Sequence, residues 1–259
     1  MRGFLLLWLA VSAHAQPLLI AHRGASAAAP ENTLAAFKAA WKEGADGIEG
    51  DFRLSQDGKI VCIHDETTKR TCGSKLTVAE TPWARLRQLD AGSWKAKSFS
   101  TERIPLLEDV LGILPPNKYF FIEIKCGPEI IQPLKKAVAG ADPKWVMFIS
   151  FDPTVVKACR THLPRFQAHL VSKLDGIHKS GNEAKQLQWL DQIDATGLQF
   201  KHTAKVSKVF MATLKSTPRL TACWTVDDVG TARRVAALGV DFITTNRPGM
   251  IRQQAGWTK

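Results

Sequence analysis

The sequence predicts one α/β domain closed into a (β/α)8 TIM-type barrel. Three observations carry that expectation. Short apolar runs alternate with amphipathic helical stretches from residue 17 to residue 245. Those runs are apolar almost throughout, as parallel strands covered on both faces must be. The length, 259 residues, is typical of one such barrel and large for one sandwich. Repeated βα units imply right-handed crossovers, and eight of them in this length fit a closed barrel better than an open doubly wound sheet. The first run is not followed by Gly-x-Gly-x-x-Gly, which argues against a dinucleotide site there.

The elements follow in order. Residues 17–21 form a strand ending at His22. Residues 31–43 read as a helix with Leu34, Phe37, Ala40 and Trp41 on one face, Pro30 in its first turn and Gly44 at its end. A second strand covers 47–54, Ser55-Gln56-Asp57-Gly58 reads as a tight turn, and 59–63 is a short extra strand. Helices are expected over 77–89 and 106–114, with an irregular stretch between them. Residues 119–125 form the third main strand, apolar up to Glu123, and 130–139 is helical. Strands at 146–151, 165–171, 197–200, 220–226 and 241–245 then alternate with helices starting near Pro153 and over 182–190, 204–214 and 227–238.

The first 15 residues read as a secretory signal. Arg2 supplies a short positive region, residues 4–11 are apolar, and Ala13-His14-Ala15 offers a small-x-small cleavage site. The run is too short to span a bilayer, which takes roughly 20 apolar residues. A buried N-terminal helix is the competing structure. The expectation is an exported protein, periplasmic or secreted after cleavage near Ala15, with residues 16–259 as a single barrel domain. The formal charge of +11 favours anionic partners in general. Its Lys and Arg residues are dispersed rather than gathered in a basic block, so the charge reads as a solvated surface and no nucleic-acid partner is expected. The five cysteines form no Cys-x-x-Cys pair, which argues against a zinc knuckle.

Polar residues collect at the C-terminal ends of the apolar runs, where an α/β barrel builds its active site. His22 and Arg23 end the first strand, Glu49 and Asp51 lie in the second, His64 and Asp65 follow the extra strand, and Glu123 and Lys125 end the third. Trp224 lies late in the seventh, and Thr245 and Asn246 close the eighth. Side chains at i and i+2 on a strand share a face, so Glu49 and Asp51 point the same way, as do Glu123 and Lys125. Three carboxylates from adjacent strands can then converge at one mouth. Buried like charges are costly unless paired or bound to a metal, and an all-oxygen set suits one divalent cation, Ca²⁺ or Mg²⁺. His22 and His64 are suited to acid–base work near neutral pH. Arg23 and Lys125 are fixed cations able to hold a phosphate or to neutralise the acidic cluster. Trp224 either walls a small substrate or belongs to the core. His162, His169, His178 and His202 sit in no comparable cluster.

His22-Arg23-Gly24, Pro30-Glu31-Asn32-Thr33, Gly44-Ala45-Asp46, Glu49-x-Asp51, Asp57-Gly58 and His64-Asp65 stand in one order. Glu123-Ile124-Lys125, Ser150-Phe151-Asp152, Trp224-Thr225-Val226 and Thr245-Asn246-Arg247-Pro248 continue it. Single pieces carry little weight, but the ordered set, over about residues 18–250, resembles the glycerophosphodiester phosphodiesterase family. The resemblance implies a barrel with a small helical insertion after the second strand, at about residues 66–104 where the alternation is interrupted. It implies hydrolysis of glycerophosphodiesters to sn-glycerol 3-phosphate and an alcohol. By position, Glu49, Asp51 and Glu123 would bind the divalent metal, and His22 and His64 would be the general base and acid pair. Arg23 and Lys125 would hold the phosphate, and Trp224 would contact the glycerol side. The chain departs from the family pattern at Phe52, Ser55, the run after Asp65, Cys126 and Asn246, where an aspartate is common. None of these removes a proposed ligand.

Two other readings compete. One is a related barrel phosphodiesterase of the phospholipase or sphingomyelinase D type, cleaving intact lipids. The 91–101 segment carries Trp94 and Phe99 among lysines and suits transient contact with a membrane surface. The other is a non-enzymatic basic protein that binds polyanions through its net charge, with steep salt dependence and no metal requirement.

Overall fold

The computed structural model describes residues 16–177, 179 and 181–258, so the expected signal segment, residues 1–15, lies outside the described residues. β1 (Leu18–Ala21) leads through a loop to α1 (Leu34–Lys42) and β2 (Gly47–Leu54). A tight turn sends the chain back along β3 (Ile60–Cys62) into α2 (Lys69–Cys72), α3 (Trp83–Leu86) and α4 (Leu107–Gly112). Strand and helix then alternate: β4 (Tyr119–Ile124), α5 (Ile131–Ala137), β5 (Val146–Ser150), α6 (Pro153–His162), β6 (Gln167–Ser172) and α7 (Asn182–Gln192). The chain ends with β7 (Gly197–Lys201), α8 (Lys208–Lys215), β8 (Leu220–Trp224), α9 (Val229–Ala236), β9 (Phe242–Thr245) and α10 (Pro248–Ala255).

Hydrogen bonds join β1, β9, β8, β7, β6, β5, β4 and β2 in that order, and β2 pairs back onto β1. Eight parallel strands therefore close a barrel, as the alternation predicts. β3 lies outside the ring, antiparallel to the outer end of β2, with Phe52 opposite Cys62. Strand alternation divides the apolar side chains into two sets. Ile20, Phe121, Met147, Ile149, Val171 and Phe242 fill the barrel interior. Their neighbours Leu19, Ile48, Phe120, Ile122 and Phe148 face the helices. Each such fully buried side chain contributes about 1.5–3 kcal/mol. His169 is an interior residue, fully buried and edge-on to Phe121. Gly197 makes its space, since a Cβ there would lie 2.5 Å from the imidazole.

Local chemistry moves several element ends from their expected places. The first helix starts at Leu34 rather than 31, because Thr33 Oγ1 accepts from Ala36 N and caps it, leaving Pro30 in the preceding loop. The expected 77–89 helix is broken at Pro82 into a 3-10 turn, Val78–Glu80, and the short α3. Ser207 and Asp228 cap α8 and α9, so both start later than periodicity suggests. The 66–104 insertion packs a satellite core of its own, with Val78, Leu86, Ala91 and Ile104 against Val61 and Ile63.

Candidate active site

The site begins at a kink. Beyond β1 the chain takes left-handed conformations at Arg23 (φ +55°) and Gly24 (φ +79°). Non-glycine residues rarely adopt such a φ, and when they do it is commonly at functional positions. Here it aims the Arg23 N–H at Glu49 Oε2, 2.8 Å away. The Arg23 guanidinium then reaches two more carboxylates: Nε lies 3.1 Å from Asp51 Oδ2, and Nη1 lies 2.8 Å from Glu31 Oε1. Gly24 is required on a second ground, since a Cβ there would lie 2.5 Å from the Ala36 carbonyl carbon.

Glu49, Asp51 and Glu123 face the barrel axis from β2 and β4, with Asp51 and Glu123 in register. All three are buried, and one ligand oxygen from each lies within 4.8 Å of the others. Asn32, itself left-handed at φ +58°, clamps Asp51 by donating from Nδ2 to Oδ2 (2.8 Å) and accepting from the Asp51 N–H (3.1 Å). Lys125 donates to Glu123 and lies 3.2 Å from Asp51 Oδ1. Among the described residues Glu49 Oε1 has no hydrogen-bond partner, and Asp51 Oδ1 has only its ion pair with Lys125. Buried, under-satisfied, acceptor-only oxygens in an all-carboxylate set are what a hard divalent cation satisfies.

The electrostatics agree with that. Burial, reinforced by the Asp51 charge, pushes Glu49 up to about 8 and Glu123 up to about 7. Burial would raise Asp51 too, but Arg23 and Lys125 outweigh it and hold Asp51 below the usual carboxylate range. Without a bound cation Glu49 and Glu123 therefore keep their protons near neutral pH, and a divalent cation held there would displace them.

Each of the two histidines is anchored through Nδ1. His22 Nδ1 lies 2.7 Å from Asn246 Oδ1, and His64 Nδ1 lies 2.7 Å from Asp65 Oδ1. In both rings Nε2 is the nitrogen left for chemistry. Burial lowers the pKa of both rings, and the Asp51 charge opposes it in both. Asp65 in turn accepts from Arg70 Nε at 2.7 Å, and Arg70 forks onto both oxygens of Glu31 at 2.8 Å. The hydrogen bond from Arg70 is the main reason Asp65 falls to about 2.

The structure therefore brings His22, Arg23, Glu49, Asp51, His64, Glu123 and Lys125 into one connected cluster. Trp224 joins its margin: its indole N–H is buried and unpartnered, and its ring meets Phe151 edge-on at 5.5 Å. Phe151 is 43% exposed, with Lys125 Nζ 5.4 Å from its ring centre. Sequence reasoning gave no role to Phe151, Glu31, Asn32, Arg70, Asp227 or Asn246. The signal for Glu31 and Asn32 lay in Pro30-Glu31-Asn32-Thr33, a polar stretch where helix periodicity alone expects a helix start. Phe52 faces away from the mouth, against Phe120, so that departure from the family pattern does not touch the pocket.

A closed parallel barrel with an acidic mouth, two anchored imidazoles and two fixed cations defines a barrel hydrolase site for an anionic substrate. The family model for the glycerophosphoryl diester phosphodiesterase family matches residues 22–250. A glycerophosphodiester phosphodiesterase of Caldanaerobacter subterraneus is 33% identical over 237 residues, covering 89% of this chain and 94% of its own. An Oleispira antarctica phosphodiesterase, solved in complex with the product sn-glycerol-3-phosphate, superposes with a TM-score of 0.83 at 28% identity, covering 94% of this chain and 98% of its own. A glycerophosphodiester phosphodiesterase from Agrobacterium tumefaciens gives a TM-score of 0.78 at 25% identity, over 92% of this chain and all of its own. The chain belongs to the glycerophosphoryl diester phosphodiesterase family. Among the described residues no helix is long and apolar enough to cross a membrane.

Proposed function

We propose that this enzyme hydrolyses glycerophosphodiesters to sn-glycerol 3-phosphate and an alcohol, with one divalent cation, Ca²⁺ or Mg²⁺, held by Glu49, Asp51 and Glu123. The observation that carries the reading is the convergence of those three buried carboxylates, within 4.8 Å, beside two histidines whose Nδ1 atoms are both tied. The cation supplies Lewis-acid stabilisation of charge on phosphoryl oxygens. Arg23 and Lys125 hold the phosphate and offset the same charge. One imidazole takes a proton at Nε2 from the attacking hydroxyl, which is water or the substrate's own glycerol hydroxyl. The other gives a proton from Nε2 to the departing alkoxide. Trp224 walls the glycerol end and offers its unpartnered N–H.

The proposal includes export, which rests on the charged, apolar and small-residue order of residues 1–15. An N-terminal sequence of the secreted protein beginning at Gln16 tests it. The catalytic reading is tested by glycerophosphocholine turnover with coupled glycerol 3-phosphate detection, against intact phosphatidylcholine and sphingomyelin, with and without chelator. Turnover of glycerophosphocholine that chelator abolishes and Ca²⁺ or Mg²⁺ restores is expected. Turnover of intact lipids alone would favour the lipid-cleaving reading, for which the exposed Trp94 offers a contact. Salt-sensitive polyanion binding without turnover would leave only a binding protein.

A further inference from the structure

Resting on the proposed role of His22, we infer that Asp227 is a positioning residue. It locks the Asn246 amide in one orientation and thereby fixes which nitrogen of His22 carries its proton.

An asparagine side chain is nearly symmetric in shape but not in chemistry: one end accepts and the other donates. Placed against an imidazole, it dictates the tautomer, and if it turns over, the tautomer reverses. Asn246 faces His22 Nδ1 with its oxygen at 2.7 Å. Its orientation is set from the far side. Asn246 Nδ2 lies 2.5 Å from Asp227 Oδ2, and a carboxylate can only accept. The amide nitrogen must therefore face Asp227, and the oxygen must face His22. Ser26 Oγ donates to the same oxygen at 2.7 Å and supports that setting. With an acceptor opposite, His22 Nδ1 must carry hydrogen, and Nε2 in the neutral ring is a lone pair, on an imidazole that feels the Asp51 and Glu123 charges. Asp227 Oδ1 meanwhile accepts from Thr245 Oγ1 (3.0 Å) and from the Asn246 N–H (2.8 Å), which ties the β8–α9 turn to the end of β9.

Those two jobs separate cleanly in Asp227→Asn. Its side-chain oxygen still accepts from Thr245 and from the Asn246 N–H. Only the acceptor facing Asn246 Nδ2 is replaced, by a second donor. The Asn246 amide then turns over, presents its NH₂ to His22, and moves the imidazole hydrogen to Nε2. The reciprocal pair, Asp227→Asn with Asn246→Asp, restores an acceptor to His22 and a donor–acceptor contact behind it.

The test reads the His22 tautomer by ¹⁵N NMR of the full mature chain, alongside steady-state kinetics and Tm. In the wild type the hydrogen is expected on Nδ1. In Asp227→Asn it is expected on Nε2, with kcat lower by about 10²–10⁴-fold, KM within about 3-fold and Tm nearly unchanged, the pattern of a misplaced tautomer. The swapped double variant is expected to return the hydrogen to Nδ1 and to recover most of kcat. The inference is overturned if Asp227→Asn keeps the hydrogen on Nδ1, if it keeps wild-type kcat, or if its loss appears only as a lower Tm. A swapped variant that folds but does not regain the Nδ1 hydrogen also overturns it. A wild type with no phosphodiester turnover but the expected tautomers would count against the proposed reaction and leave this relay standing.

Discussion

At the scale of single residues, the candidate metal-ligating and acid–base side chains were legible because chemistry concentrates them. Carboxylates and imidazoles at the ends of apolar runs have few structural uses, and i, i+2 spacing on β2 puts Glu49 and Asp51 on one face. Residues acting at one remove were not legible. Arg70 and Asp227 lie in ordinary polar sequence, and only the fold brings Arg70 to Asp65 and Glu31 and Asp227 to Asn246. Two predictions belong here. Asp51→Asn removes the one carboxylate that Arg23 and Lys125 keep ionised, and kcat/KM is expected to fall about 10³-fold. Isothermal titration with Ca²⁺ or Mg²⁺ should show the bound heat lost as well, and unchanged cation binding would refute the assignment. His22→Ala and His64→Ala should each lower kcat by about 10²–10⁴-fold, and the double variant little further, because paired proton transfers fail together. Strictly multiplicative losses would argue against a pair.

Elements were legible in kind and less so in their limits. Strand and helix periods differ enough that all eight barrel strands were found, but caps and prolines decide where helices begin. Thr33 and Ser207 set starts that apolar spacing alone places earlier, and Pro82 splits a segment that spacing joins. The loop after β1 shows how tightly such limits bear on the site. Gly24→Ala meets both a positive φ and the α1 backbone at 2.5 Å, so a loss of about 2–4 kcal/mol is expected, measured by chemical denaturation. A loss below about 0.5 kcal/mol would mean that the loop can move away from α1 at little cost.

For the molecule as a whole, the acidic mouth couples stability to pH and, on the proposed reading, to cation. In chelator, Glu49 and Glu123 hold protons up to about 8 and about 7, whereas an unfolded glutamate releases its proton near about 4.3. The folded state thus binds more protons over that range, so this contribution weakens as pH rises. The two partly buried site histidines, with lowered pKa values, act in the opposite sense below about pH 7, since the unfolded chain takes up protons there. Above about pH 7 the carboxylates govern, and Tm in chelator is expected to fall toward about pH 8. Ca²⁺ or Mg²⁺ should raise Tm more at the higher pH, because binding needs the deprotonated ligands. A cation effect that shrinks with rising pH in differential scanning fluorimetry would contradict this. At the same scale, Arg70 makes the 66–104 segment more than an ornament on the barrel, because it clasps Asp65 behind one imidazole and Glu31 behind Arg23. Transplanting that segment from another barrel would therefore exchange a working part of the machine. A graft without a guanidinium at this place would leave the His64–Asp65 pair and the Arg23–Glu31 pair each short of a tether.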